Sequence, residues 1–273
     1  MIASNFHTHT TFVDGEHSAK EMVQSALLKG MHTLGFSEHC HTPLDPDCSL
    51  STEQTIQYCQ EIARLQEQYA GQIRVLCGIE MDYTSVDDPA AYDYVIGSVH
   101  YLVVDGVTYP LDYSPEKTLE CVNAAFGGDF DAYAEAYFET VSEICEKTQA
   151  NIIGHFDLIT KYSEKGVGPD PASPRYIAAW QKAMQALAGK AALEINTGAM
   201  SRGCRSTPYP APDMLAYWRR LGGQVVINSD SHHKDTLLHA FDTALQLAGQ
   251  AGFEQFGFTD RHGEYHHQLG EAK

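Results

Sequence analysis

The sequence predicts an α/β fold built on a mainly parallel sheet, open or closed into a barrel, and three observations lead there. Short apolar, β-branched runs alternate with segments of helical periodicity along most of the chain. No linker, low-complexity tract or repeat of fixed period interrupts them, so residues 1–273 read as a single domain. Metal-capable side chains recur just after the apolar runs, where parallel strands present their functional groups.

In chain order, the expected strands are 2–6, 33–36, 73–79, 94–99, 151–153, 191–195 and 224–227. Each is a short run rich in Val, Ile, Leu and aromatic residues, as expected of strands covered on both faces. The first expected helix, 18–28, opens with S-A-K-E in the manner of a capping box and stops at Gly30. The second, 52–69, closes at Gly71, and the others are 131–147, 174–187, 211–221 and 235–248. Two Gly/Pro/Ser-rich loops, 166–174 and 202–212, read as borders of a site rather than as domain boundaries. The stretch from 253 onward holds an apolar F-G-F and a polar tail with no clear period. Trp180 and Trp218 sit on helical patterns and read as packing residues.

Composition restricts the function. With 36 acidic and 18 basic residues the formal charge is −18, which argues against nucleic acid or an anionic membrane as partner. An anionic substrate would be repelled too, unless divalent cations reverse the local sign, so any phosphate chemistry requires metals. Seven cysteines without a C-x-x-C pair read as reduced thiols. With no long apolar span and no basic-then-apolar start, a cytoplasmic location is expected.

Histidine, at fourteen residues, is the unusual entry in the composition. The strands lead into NFHTH (His7, His9), GFSEH (His39), CGIE (Glu80), GSVH (His100), IIGH (His155) and VVINSDSH (Asp230, His232). With Asp14 in the loop after HTH, the set holds six histidines and three carboxylates. Neutral imidazoles ligate divalent metals and carboxylates can bridge them. One catalytic zinc uses about three protein ligands, so nine suit a cluster able to activate water and hold phosphoryl oxygens. Taken singly, an H-x-H pair or a histidine at a strand end is more often structural. Their repeated fall at strand ends favours ligation.

The ordered set HTHT…DG, SEHC, GIE, SVH, GHFD and SDSH resembles the PHP (polymerase and histidinol phosphatase) superfamily from His7 to His232. GIEMDY, IGSVHYL, IIGHFDLI and EINTGA, with Arg202, Arg205 and the P-Y-P at 208–210, are most similar to its branch that hydrolyses histidinol phosphate. The resemblance implies a distorted (β/α)7 barrel with a metal site at the C-terminal ends of the strands. It also implies three divalent ions, whether zinc, manganese or iron. One would rest on His7, His9, Glu80 and Asp230, a second on Asp14, His39 and His232, and a third on Glu80, His100 and His155. His17 competes with Asp14 for its place.

On that basis a small phosphate ester, L-histidinol phosphate first, is the expected substrate, with histidine biosynthesis as the setting. Hydroxide bridging two ions would attack phosphorus, and Asp230 or His41 would move protons. Arg202, Arg205 and Lys161 are the candidate cations for the phosphate. The alternatives are a PHP phosphoesterase for another monoester or a diester, and a non-catalytic metal-binding module. His32, His233, His239, His262, His266 and His267 lie outside the motifs and are expected to be surface or structural residues.

Overall fold

A computed structural model describes residues 4–268. The chain opens with β1 (Ser4–Asn5), α1 (Ala19–Leu28), β2 (Thr33–Phe36), α2 (Thr52–Gln68), β3 (Arg74–Asp82) and β4 (Tyr94–Ser98). It continues through a hairpin, β5 (Tyr101–Val104) and β6 (Val107–Pro110), then α3 (Pro115–Phe126), α4 (Phe130–Ser142), α5 (Ile144–Thr148) and β7 (Ile152–Ile153). The last third holds α6 (Pro174–Leu187), β8 (Ala192–Asn196), α7 (Gly198–Ser201), α8 (Pro212–Arg220), β9 (Val225–Asn228), α9 (Phe241–Gln250), β10 (Gly257–Thr259) and β11 (Tyr265–His267).

Seven strands form one sheet in the order β1-β2-β3-β4-β7-β8-β9, every neighbouring pair parallel. Order in space follows order in sequence, as in a barrel wound one strand at a time. The edges β1 and β9 come together at the end that carries the histidines. There Thr8 and Ser231 form a parallel bridge, with Ser231 N donating to His7 O (3.1 Å) and His9 N to Ser231 O (2.9 Å).

Elsewhere along this seam side chains substitute for ladder bonds. Asn228 Oδ1 accepts from Phe6 N (2.9 Å), and Asn5 Nδ2 donates to Ser229 Oγ (2.6 Å) and Leu237 O (3.0 Å). The Gln268 amide spans the gap, accepting from Ile227 N (2.6 Å) and donating to Ser4 O (3.1 Å) and Ile227 O. Buried edge groups are thereby satisfied where strand pairing lapses.

The barrel interior is filled. Phe6, Leu76, Tyr94, Ile96, Ile152, Ala192, Val226 and Phe258 form one apolar cluster. Phe258 comes from the β10–β11 hairpin, where Asp260 accepts from His262 N, Glu264 N and the His266 ring. The helices pack outside the sheet in a second, larger core that includes Trp180 and Trp218. Tyr94 occupies its place because β2 and β3 offer glycines: a Cβ at Gly35 or Gly78 would lie 2.3 or 2.2 Å from its ring or hydroxyl.

All seven expected strands are present. β3 runs three residues further than expected, to Asp82. The capping box of α1 is present in both legs, Ser18 to Glu21 N and Glu21 to Ser18 N. In α2 the box is formed by Ser51 and Gln54. Two expectations need correction. Residues 131–147 are two helices, α4 and α5, meeting at Glu143. The start of 235–248 is a 3-10 turn, and α9 begins only after Ala240 takes a left-handed φ of 54°. α3 and the β5–β6 hairpin were not foreseen. Of the expected strand 2–6, the first two residues lie outside the described ones. No helix among the described residues is long and apolar enough to cross a membrane.

Candidate metal centre

Residues alternate between the two faces of a strand, so every second residue of each barrel strand points inward. Continuing upward from the apolar layer, Leu76 leads to Glu80, Ile96 to Ser98, Ala192 to Glu194 and Asn196, and Val226 to Asn228. This layer is buried and polar, and just above it the strand-end residues converge.

Glu80 is the hub. Its Oε2 lies 3.3 Å from His7 Nε2, 3.6 Å from His9 Nε2 and 3.0 Å from His39 Nδ1. Its Oε1 lies 3.0 Å from His155 Nε2 and 3.5 Å from His100 Nε2, and accepts from Ser98 Oγ at 2.7 Å. Asp230 Oδ1 stands 3.4 Å from His9 Nε2 and 3.7 Å from His7 Nε2. Asp14 Oδ2 is 3.0 Å from His232 Nε2 and 3.7 Å from His39 Nε2. The backbone is shaped for this convergence. Asp230 takes a left-handed φ of 48°, and Gly15 follows Asp14 where a Cβ would strike Thr10 at 2.5 Å. Glu16 N also ties this turn to His232 O (2.8 Å).

All nine expected ligands are brought together. Among these nine, three groups have donor atoms spaced for a common ion: His7, His9 and Asp230; His9, Asp14, His39 and His232; and His39, Glu80 and His100. The third has His39 where the resemblance implied His155, which instead meets Glu80. Asp14 stands in the cluster, whereas His17 packs edge-on against His233.

The electrostatics demand positive charge. Burial opposes ionisation of Glu80 and Asp230, yet His7, His100 and His39 around Glu80, and Arg202 and His7 around Asp230, hold both carboxyls well below the usual range. Burial likewise disfavours protonated His7 and His39, but the adjacent carboxylates raise both well above the ordinary imidazole value. His9, buried between His232 and His39, is pushed down to about 3. Without a cation the arrangement balances only through protons on imidazoles.

Divalent ions fit better. His7 Nε2, both ring nitrogens of His9, Glu80 Oε2 and His155 Nδ1 are buried without a hydrogen-bond partner, a costly condition unless something ligates them. Ligands at zinc-like bond lengths around a tetrahedral ion stand about 3.4 Å apart, and the separations here run from 3.0 to 3.7 Å. The mixed nitrogen and oxygen donor set suits borderline transition metals.

A cavity of about 340 Å³ opens over the cluster, walled by Asp45, Asp82, Tyr101, Asp112, Lys161 and Arg202, among others. Arg202 donates to Asp230 Oδ2 (2.9 Å) and Asp230 O (3.0 Å). Lys161 Nζ donates to the Asp112 carboxylate and carbonyl, each at 2.9 Å. Burial works against the Asp112 charge, but Lys161 brings its carboxyl down to about 2.

Two expected site residues are placed elsewhere. Arg205 does not line this cavity. Its guanidinium stacks on the Tyr209 ring at 4.3 Å and donates to Thr160, on the wall of a separate hollow beside Trp180. His41 points its Nδ1 at Leu50 O (3.0 Å) and is likewise absent from the cavity wall. In both cases a local hydrogen bond or stack outweighs the alternative of facing the site.

Sequence reasoning gave no role to Glu194, Asp82 or Asp112. Asp82 Oδ2 accepts from His100 N (2.6 Å). Glu194 accepts from the His7 ring at 2.7 Å and from His155 N at 2.8 Å. For Glu194 the available signal was an acidic residue within the apolar run 191–195, since carboxylates are seldom buried unless paired.

A model of the PHP domain matches residues 5–198. The chain belongs to the PHP domain family. Among PHP relatives, it is 28% identical to a probable histidinol-phosphatase of Deinococcus radiodurans over 93% of this chain and 96% of that one. It shares its fold with a putative histidinol phosphatase from Listeria monocytogenes, at a TM-score of 0.76, 21% identity, and coverage of 88% of this chain and 99% of that one. A histidinol phosphate phosphatase from Lactococcus lactis, crystallised with zinc, L-histidinol and phosphate, is similar at a TM-score of 0.66 and 26% identity, over 94% of this chain and 96% of that one. The histidine and carboxylate cluster of this PHP chain is built for divalent metal.

Proposed function

We propose that this chain is a metal-dependent phosphomonoesterase that hydrolyses L-histidinol phosphate to L-histidinol and phosphate. The observation that carries this reading is the convergence of six imidazoles and three carboxylates about Glu80 at one barrel mouth. The names of its full-length relatives support the substrate. So does the cavity wall: with Asp45, Asp82 and Asp112 facing it, an ester whose organic part carries an ammonium group is favoured over a wholly anionic one.

Three ions, each zinc, manganese or iron, are assigned. The first would be held by His7, His9, Glu80 and Asp230, the second by Asp14, His39 and His232, and the third by Glu80, His100 and His155. Bound divalent ions lower the pKa of a coordinated water and offset the charge on phosphoryl oxygens. The protein supplies the rest. Asp230 directs Oδ1 at the cluster while Arg202 holds Oδ2, so its carboxylate is fixed to take a proton from the attacking water and return it to the leaving alkoxide. Lys161 and Arg202, on the same wall, offer remaining N–H groups to the phosphate.

The test pairs elemental analysis of purified protein with phosphate release from L-histidinol phosphate, a generic aryl monoester and a diester. Bound divalent metal and a strong preference for histidinol phosphate are expected. Equal rates across the monoesters would refute the substrate assignment, and full activity in metal-depleted protein would refute the chemistry.

A further inference from the structure

Glu194 lies in the middle of β8, fully buried, below the cluster and outside every ligand group described above. Its surroundings determine where the protons of its neighbours sit. Oε1 meets His7 Nδ1 (2.7 Å) and Asn228 Nδ2 (2.9 Å), and Oε2 meets His155 N (2.8 Å) and Asn196 Nδ2 (2.9 Å).

Three of these four partners can only donate. His155 N is a backbone amide. The Asn228 side chain cannot turn over, because its Oδ1 already accepts from Phe6 N (2.9 Å). Asn196 is fixed in the same way by Gly198 N (2.8 Å). With three of the four positions around the carboxylate filled by donors, a proton on Glu194 would have only the direction of His7 left. A carboxylate receiving His7 Nδ1–H satisfies all four groups at once. The ring of His7 is then turned so that Nε2 faces Glu80 Oε2 (3.3 Å) and Asp230 Oδ1 (3.7 Å). Between an Nε2 so placed and two carboxylates the contact is favourable only with a cation there, a proton or a metal ion that takes its place on the lone pair.

We infer that Glu194 is a positioning residue that locks the ring orientation and tautomer of His7, so that Nε2 is the nitrogen offered to the first metal ion. The inference rests on the metal assignment of the proposed function and deepens it. A carboxylate beneath a ligating histidine also makes that imidazole a stronger donor. Through His155 N the same carboxylate ties a second barrel strand to the cluster, so one buried anion sets two of the expected ligands.

Glu194→Gln tests this at nearly constant volume. The amide must turn its NH₂ either toward His155 N and Asn196 Nδ2, donor against donor, or toward His7 Nδ1, which would drive the imidazole proton onto Nε2. Either arrangement should free or misprotonate His7. The protein is loaded with zinc alone, its content measured by elemental analysis and its affinity by competition with a chelating dye, and its fold checked by circular dichroism. Folded Glu194→Gln is expected to hold one ion fewer than wild type, or to bind that ion about 10–100-fold more weakly. Unchanged content and affinity beside a zinc-binding wild type would overturn the role of Glu194 alone. A wild-type chain that takes up no zinc would instead overturn the metal assignment on which the inference rests.

Should Glu194→Gln fail to fold, long-range ¹H–¹⁵N correlation spectra of zinc-loaded wild type decide the matter. A proton on His7 Nδ1 with zinc on Nε2 supports the inference, and the reverse arrangement overturns it.

Discussion

Arg202 holds Asp230 at two points, its Nη2 donating to Oδ2 at 2.9 Å and its Nη1 to the backbone carbonyl at 3.0 Å. The paired grip fixes the carboxylate that faces His7 and His9, and a single ammonium cannot reproduce it. Arg202→Ala should lower kcat/KM for the phosphate ester by roughly 10²–10³, with most of the loss in kcat because Asp230 loses its orientation. Arg202→Lys should restore only part of that. Steady-state kinetics separate the two parameters, and a loss confined to KM would make Arg202 a phosphate anchor only.

Glu80 has five imidazoles around it, and His7 stands between Glu80 and Asp230, so the loss of either side chain breaks the cluster. Glu80→Ala and His7→Ala should each abolish phosphate release while circular dichroism shows a folded chain. Chelation of wild type should do the same reversibly, with activity returning on addition of zinc or manganese. Substantial turnover in either variant would contradict the assigned ligands.

The barrel plug carries a pH dependence of known sign. Asp260 accepts from His266, Glu264 N and His262 N, and although burial opposes its charge these bonds hold its carboxyl below the usual value. A carboxyl depressed by folding stabilises the native state above its unfolded value, about 3.9, and loses that contribution as pH falls through the folded value. Asp260→Asn should therefore lower Tm by roughly 2–4 °C near neutrality, and the gap to wild type should close below about pH 4. Thermal melts from pH 3 to pH 7 provide the check.

The Tyr94 ring cannot yield to a new methyl group, because its hydroxyl bonds both Phe6 O and Phe36 O. Gly78→Ala would set a Cβ 2.2 Å from its Cζ. Overpacking of this kind should cost roughly 1–3 kcal/mol, read as a lower midpoint in urea with an unchanged slope.

The strands and the residues that converge at the barrel mouth were legible in the sequence for the same reason. A strand that ends at a barrel mouth writes an apolar run followed by a polar residue, and His39, His100 and His155 each follow such a run. Arg205 and His41 were misplaced because a charged or imidazole side chain in a loop shows its chemistry but not its direction. A stack on Tyr209 and a bond to Leu50 O turned them away. Glu194 was visible as a letter inside EINTGA, but its role depends on Asn196 and Asn228 being pinned by backbone amides, which no linear pattern displays. The β5–β6 hairpin and α3 lie outside the alternation of one strand and one helix, so that pattern did not announce them.

The Gln268 amide bonds Ser4 and Ile227 across the seam, joining residues 264 positions apart. The outer edge of β1 therefore waits for β9, 222 residues further along the chain, before it is covered. Contacts of such long sequence separation form slowly, so His7 and His9 remain apart from Asp230 and His232 until β9 has joined the sheet. An ion captured before closure would meet only a fragment of the cluster, which makes its assembly one of the last steps of folding.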